Sequence, residues 1–177
     1  SEVRFTEEPR KIYNPGLSDS DREYEMMGLT LDWNIGGVLV KSISAYQDWA
    51  DEFSNPADGT SIGLFDRLRT AENKTFTQEL NISGSTGNLD WIAGLYYMDD
   101  ERSRRLFFDF PIPALFPLPV PIQIDAQEPL FDTESKSVFA DVTWSVSDDL
   151  RLGAGIRRTS EDKVEGHAFV ISAQFPD

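Results

Sequence analysis

The 177-residue chain has no cysteine, one histidine and few basic residues beside its acidic ones. Without cysteine there is no disulfide framework and no thiolate metal site, and the single His167 argues against a zinc site or a Ser/His/Asp triad. The 16 lysines and arginines against 31 aspartates and glutamates give a net charge of −15. That charge argues against nucleic-acid binding, because a phosphate backbone requires a basic surface. The composition therefore predicts no catalytic, cofactor or metal site, and no nucleic-acid partner.

Long apolar runs are also missing. No stretch reaches the roughly 18 apolar residues that indicate a transmembrane helix. The absence excludes a helical span only, because a membrane β-strand needs about 9–11 residues and only every second one must be apolar.

Period-two alternation of apolar and polar residues runs through most of the chain, and this pattern is typical of β-strands. The predicted strands are residues 22–34, 38–49, 75–83, 89–98, 136–146, 150–158 and 167–175. Residues 2–6 are a short candidate for an eighth. The sequence predicts an all-β fold for residues 1–177, a single domain built as an antiparallel up-and-down meander of about 7–8 strands.

The connections between these strands alternate in length. Short turns at 35–37, 84–88 and 147–149 alternate with predicted long loops at 50–74 and 99–135. Outer-membrane barrels have this asymmetry, with short periplasmic turns, long extracellular loops, an apolar outer face and a polar lumen. Trp33, Trp91 and Trp144 lie near short turns, where an aromatic girdle would meet the periplasmic interface. We therefore expect a partial or small outer-membrane-type β-barrel, and a soluble all-β domain is the alternative.

Two sets of residues are candidates for ligand contact. The first lies in the predicted loop 99–135 and contains Arg102, Arg104, Arg105, Phe107 and Phe108. These arginines either bind an anionic ligand or balance nearby acids in a solvated loop.

The second set lies on the polar faces of the predicted strands and contains Glu79, Asp141, Arg151 and Arg157. These side chains either line a substrate path or neutralise one another as ion pairs in the lumen.

Residues 110–124 are rich in proline, which donates no backbone hydrogen bond and so argues against a helix or central strand. This segment is either a polyproline ligand for an aromatic groove or an extended loop over a barrel mouth.

Three phrases of the sequence resemble the barrel region of TonB-dependent outer-membrane receptors. TFTQELNISGSTGNLDWIAGLYYMDD resembles the family's Gln-Glu-Leu strand, turn and Gly-Leu-Tyr-Tyr strand. SVFADVTWSVSDDLRLGAGIRRTSEDK resembles the following hairpin, and VLVKSISAYQDW a strand upstream. The resemblance covers residues 20–163 in the family's order.

This resemblance implies an outer-membrane receptor that takes up a scarce ligand of the siderophore, vitamin or glycan class and catalyses no reaction. The implied partners are outer-membrane lipid, a small-molecule ligand and an inner-membrane energy-coupling complex, and the implied location is the bacterial outer membrane. Such receptors have about 22 strands and a plugged lumen, so we expect either a fragment or a shortened relative. The alternative function is a soluble secreted all-β ligand-binding or interaction module.

The predicted last strand, residues 167–175, alternates and ends on an aromatic residue, Phe175. By the same resemblance it is a closing strand. Seven strands that start on the outside would place Phe175 on the periplasmic side.

Overall fold

A computed structural model describes residues 18–56, 66–110 and 122–173. These residues form six strands: β1 Asp19–Ile35, β2 Val38–Pro56, β3 Asp66–Thr86, β4 Leu89–Phe110, β5 Ile122–Ser145 and β6 Arg151–Ala173. The strands make one antiparallel sheet in chain order, from β1 to β6. The predicted all-β, up-and-down meander is confirmed. Within the described ranges, no helix is long and apolar enough to cross a membrane.

The strands extend far into the segments predicted as long loops. Pro56 at the end of β2 pairs with Asp66 at the start of β3, and Phe110 of β4 pairs with Ile122 of β5. The prediction of loops at 50–74 and 99–135 is therefore wrong for most of their length. The reason is that backbone pairing continues wherever two strands remain adjacent, even when both faces are polar and the alternation is lost. Residues 57–65 and 111–121 lie outside the described ranges, as does most of the proline-rich segment.

The last two predicted strands, 150–158 and 167–175, belong to the single strand β6. The polar residues between them pair with β5, for example Lys163 with Thr133 and Glu161 with Ser135. With one reversal fewer, β6 ends at the same end of the sheet as the long connections. The prediction that this strand runs to the short-turn side is wrong. Phe175 itself and the candidate strand at residues 2–6 lie outside the described ranges.

The short turns are where the sequence predicts them. Between β1 and β2, Gly36 and Gly37 have φ of 58° and 91°, as both central residues of a type I′ turn require. Between β3 and β4, positive φ occurs at Gly87 (59°), the first of the two turn residues, which is the type II′ pattern. Between β5 and β6, the Val146 amide donates to the Leu150 carbonyl at 2.9 Å. All three turns lie at one end of the sheet, and the long connections at the other.

The sheet separates an apolar face from a polar face. Directly paired residues of antiparallel strands point to the same side, and neighbours along a strand point to opposite sides. Leu31 is opposite Ser42, which is opposite Leu80, and the row continues through Leu95 to Val138. The alternating apolar residues thus share a single face, and its members include Leu29, Leu80, Leu95, Val142 and Leu152.

No second layer covers the apolar face within the described residues. Ile122, 8% exposed, is the buried apolar side chain of the described part, whereas Trp33 is 68% exposed and Ile156 is 76% exposed. A contiguous apolar surface of this extent marks a contact with another protein or with membrane. Backbone hydrogen bonds thus join each described strand to its neighbours, but no described layer covers the apolar side chains.

Two strand glycines provide a matched test of close packing on the polar face. A Cβ at Gly94 would lie 2.2 Å from Asn81 Oδ1 and 2.5 Å from the Phe139 ring, whereas a Cβ at Gly153 meets no atom closer than 3.8 Å. We expect Gly94→Val to lower stability by about 1–3 kcal/mol because it overpacks the site. Gly153→Val should be neutral or slightly stabilising. The midpoint of urea unfolding in detergent measures both, and equal midpoints would contradict the packing described for Gly94.

Candidate functional site

Charged side chains gather on the polar face toward the mouth end, defined as the end with the long connections. Asp51 of β2 lies between Arg22 of β1 and Arg69 of β3, with nitrogen–oxygen distances of 2.9 and 2.6 Å. The Asp51 side chain is 3% exposed. One buried carboxylate therefore joins three neighbouring strands.

Asp51 is held in its charged form by this pairing. Hydrogen bonds from Arg22 and then from Arg69 lower the pKa of the Asp51 carboxyl below its usual value, and they outweigh the opposite effect of burial. The carboxylate lies beyond the rows that carry the apolar side chains, so this electrostatic link belongs to the mouth end.

A second carboxylate cluster is centred on β4. Asp100 Oδ1 accepts hydrogen bonds from Asn73 Nδ2 at 2.8 Å and from Thr75 Oγ1 at 2.6 Å. Its other oxygen lies 2.7 Å from Arg102 Nε. Asp100 is 3% exposed, and all its partners lie on the same face of β3 and β4.

Arginine side chains also lie over aromatic rings at this end. The guanidinium carbons of Arg67 and Arg69 lie 5.5 and 5.6 Å from the centre of the Phe53 ring. Arg102 lies 6.0 Å from the centre of Phe131. These are cation–π distances, so the arginines are ordered by aromatic neighbours as well as by carboxylates.

The arginines predicted as one loop cluster lie in strand β4, which divides them between the two faces. Arg102, Arg104 and Phe108 lie on the polar face, and Arg105 and Phe107 lie on the opposite face. Arg102 pairs with Asp100, Arg104 with Glu128 at 2.8 Å, and Arg105 with Asp125 at 2.9 and 2.8 Å. The hydrogen bonds from Arg105 lower the pKa of the Asp125 carboxyl. The predicted loop position is wrong, and alternation prevents the set from acting together.

The second predicted set, Glu79, Asp141, Arg151 and Arg157, lies on the polar face as expected. Arg157 donates to Ser137 Oγ at 2.9 Å and lies over the rings of Tyr96 and Phe139. Glu79 accepts a hydrogen bond from Asn81. No ion pair joins two members of this set in the described part of the chain, so the interpretation as mutually neutralising pairs is wrong.

Sequence reasoning missed the residues on β1, β2 and β3 at the mouth end: Arg22, Asp51, Phe53, Arg67 and Arg69. Arg67 and Arg69 follow a period of two, which is the strand signal. The alternation covers only Arg67, Leu68 and Arg69, which is too short to predict a strand by itself.

A single-layer antiparallel meander with one apolar and one charged face is the wall of an outer-membrane-type β-barrel. The family described as TonB dependent receptor-like, beta-barrel matches residues 2–173. The chain belongs to this family, whose members are outer-membrane receptors and transporters. The predicted family is confirmed.

A solved structure has the same fold. The ferric yersiniabactin uptake receptor FyuA from Yersinia pestis is similar over 87% of this chain and 25% of its own, with a TM-score of 0.65 and 16% identity. The chain thus spans about a quarter of that receptor's length. No curated protein matches the chain.

The Asp51 cluster makes stability depend on pH. The pKa of the Asp51 carboxyl is lower in the folded state than in the unfolded state, so its ionised form stabilises the fold. This contribution to the free energy of unfolding is fully present above the unfolded pKa of about 3.9 and is lost as the pH falls through the folded pKa. We expect Asp51→Asn to lower the urea midpoint at pH 7, and the difference from the wild type to shrink as the pH approaches 3. Asp48→Asn is the control, since Asp48 is 3.9 Å from its partner Lys74. A pH-independent difference would contradict this account.

Proposed function

We propose that the chain forms part of the wall of an outer-membrane receptor that takes up a scarce small molecule. The single observation that carries the proposal is the uncovered apolar face, which continues across all six strands opposite a charged face. A soluble protein would have to bury such a face under a second layer. Lipid covers it without one.

The dimensions of the apolar face fit a membrane. On β4 this face runs from Leu89 to Tyr97, eight residue steps or about 27 Å along the strand. A tilt of about 40° reduces this span to about 20 Å, comparable to the apolar band of about 25 Å in outer-membrane barrels. Trp33, Trp91 and Trp144 lie at the short-turn end of the face, and Tyr46, Phe76 and Tyr97 at the other. Two aromatic girdles are what the two interfaces of a membrane favour.

The edges of the sheet imply that further strands complete it. In the described part β1 pairs only with β2 and β6 only with β5. Unpaired backbone groups facing hydrocarbon each cost several kcal/mol. The six strands are therefore a sector of a larger closed barrel, in agreement with the share of the FyuA chain that they match.

The proposed activity is transport without bond chemistry, driven by an inner-membrane energy-coupling complex and located in the bacterial outer membrane. The ligand belongs to the siderophore, vitamin or glycan class. Family membership supports receptor function, and the charged inner surface at the mouth end supports ligand contact there.

A pair of adjacent substitutions tests which face meets lipid. Leu31, 58% exposed, lies on the apolar face, and Thr30 lies on the polar face. Leu31→Lys should impair insertion into outer membranes, since a lysine near the midplane costs about 2–4 kcal/mol. Thr30→Lys adds the same charge on the lumen side and should insert normally. The measurement is the amount of protein that remains in the outer-membrane fraction after alkaline washing.

Two outcomes would reject the proposal. Equal insertion of both variants would show that the apolar face does not meet lipid. A wild-type chain that stays dissolved without detergent would favour the soluble secreted module instead.

A further inference from the structure

An open groove lies on the apolar face at the short-turn end of the sheet. Leu89 of β4 is opposite Trp144 of β5, which is opposite Leu152 of β6, and this row forms one side of the groove. Val142 and Ala154, which pair in the next row, also line it. The groove has a volume of about 550 Å³, which is within the range of small-molecule sites.

A close contact between Trp91 and Gly84 keeps the groove open. Trp91 is opposite Gly84 of β3 on one side and Val142 of β5 on the other. Its indole ring leans toward β3, where a Cβ added to Gly84 would lie 2.8 Å from Trp91 Cζ2. A side chain at position 84 would displace the ring, so glycine permits this close approach. The ring therefore leaves Val142 uncovered, and Val142 is 39% exposed.

Polar groups border the groove on the turn side. Thr86 and Asn88 of the β3–β4 connection are among its lining residues. The Ser145 amide donates to the Asn88 carbonyl at 2.8 Å, which fixes this turn beside β5. The Thr86 hydroxyl and the Asn88 side-chain amide are hydrogen-bond donors on exposed residues. The apolar groove thus ends in uncharged donors.

The charges beside the groove are negative. Asp148 and Asp149 lie exposed in the turn between β5 and β6. The described basic residues nearest the short turns, Lys41 and Arg151, lie on the polar face. Adjacent strands lie about 4.8 Å apart, so the β5–β6 turn is about 10 Å from the β3–β4 turn. A head group between the two turns would meet carboxylates on one side and uncharged donors on the other.

We propose that this turn-side groove, defined by Thr86, Leu89, Val142, Trp144, Leu152 and Ala154, binds one zwitterionic phospholipid whose head group carries a primary ammonium. An acyl chain lies in the groove, and the phosphate accepts hydrogen bonds from the Thr86 and Asn88 side chains. The ammonium lies beside the carboxylates of the β5–β6 turn. The inference rests on the proposed function, because lipid reaches the groove only if the apolar face meets a membrane. It goes beyond that function, since lipid that merely covers an apolar face would not be retained at one place.

Continuity and charge favour this occupant. The turn-side groove is continuous with the apolar rows that cross all six strands, so whatever covers those rows also covers the groove. Anionic phospholipids are held by basic residues. Here an anionic head group would lie beside Asp148 and Asp149, with Arg151 on the opposite face.

Phosphatidylethanolamine is the probe, and phosphatidylglycerol with the same acyl chains is its anionic counterpart. The protein is isolated from outer membranes in a neutral detergent, stripped of lipid and titrated with each probe. Native mass spectrometry counts the bound molecules. We expect one phosphatidylethanolamine to bind more tightly than any further copies, and about tenfold more tightly than phosphatidylglycerol, because the carboxylates repel the anionic head group.

Two pairs of variants test the apolar part of the turn-side groove. Ala154→Phe fills the groove and should weaken phosphatidylethanolamine binding about tenfold, because the acyl chain loses apolar contact area. Ala93→Phe makes the same change elsewhere on the apolar face and should bind like the wild type. Trp144→Ala removes one wall and should also weaken binding about tenfold. Trp33→Ala, at the short-turn end of β1, should not.

A third pair tests the head-group contact by changing exposed side chains without altering packing in the groove. Asp148→Asn combined with Asp149→Asn should strengthen phosphatidylglycerol binding severalfold, because the like-charge repulsion is removed. Asp90→Asn removes a carboxylate at the same end of the sheet but on the polar face, where Ser85 donates to Asp90 at 2.5 Å. It should leave the preference between the two lipids unchanged.

Equal effects of Ala154→Phe and Ala93→Phe, or of Trp144→Ala and Trp33→Ala, would overturn the inference, because lipid would then cover the face without a preferred place. Equal affinity of the wild type for the two lipids would overturn it as well. So would a copurifying polypeptide that is lost from the Ala154→Phe variant alone, since the occupant would then be a protein.

These outcomes are separate from the test of the proposed function. A protein that inserts into outer membranes but retains no phosphatidylethanolamine overturns the phospholipid inference alone. A chain that stays dissolved without detergent overturns the proposed function and this inference with it.

Discussion

The alternation of side chains across a single hydrogen-bonded sheet is the constraint on which the rest of the structure depends. Because the described residues form one layer, each strand must place every other residue in a different medium. The backbone ladder satisfies the amides and carbonyls, so the side chains are free to differ completely between the two faces. The apolar rows through Leu80 and Leu95 and the charged rows through Asp51 and Asp100 are two results of this one arrangement.

Stability at the mouth end comes from links between strands rather than from a core. Asp51 joins β1, β2 and β3 through two arginines, and Asp100 joins β3 and β4 through Asn73 and Thr75. A buried carboxylate is costly unless it is paired and hydrogen-bonded. Asp51 is paired with two arginines, and Asp100 accepts two hydrogen bonds and also lies beside the Arg102 guanidinium. These links also fix the positions of arginines around the inner surface, so the same contacts serve structure and the proposed ligand contact.

Residues 128–130 of β5 form a β-bulge, because three β5 positions span two positions of β4 and two of β6. Between this bulge and the short turns, the apolar side chains face outward, where lipid is proposed to cover them. Toward the mouth end, the bulge turns Ile124 and Ala126 of β5 to the polar face, whereas β4 and β6 keep their backbone alternation. Leu106 and Phe169 lie on the same face because the sequences of β4 and β6 themselves change which alternate positions are apolar.

The sequence alone determined the family, the meander, the short turns and the apolar face, because these depend on local period-two patterns and on turn glycines such as Gly36 and Gly37. It also placed Glu79, Asp141 and Arg157 on the polar face. Only the tertiary structure decided where strands end, since continued pairing makes strands of polar segments such as 159–166 that have no strand pattern of their own. It also separated Arg104 from Arg105 and brought Arg22, Asp51 and Arg69 together. Those contacts join residues far apart in the chain, and their register is set by neighbouring strands rather than by local sequence.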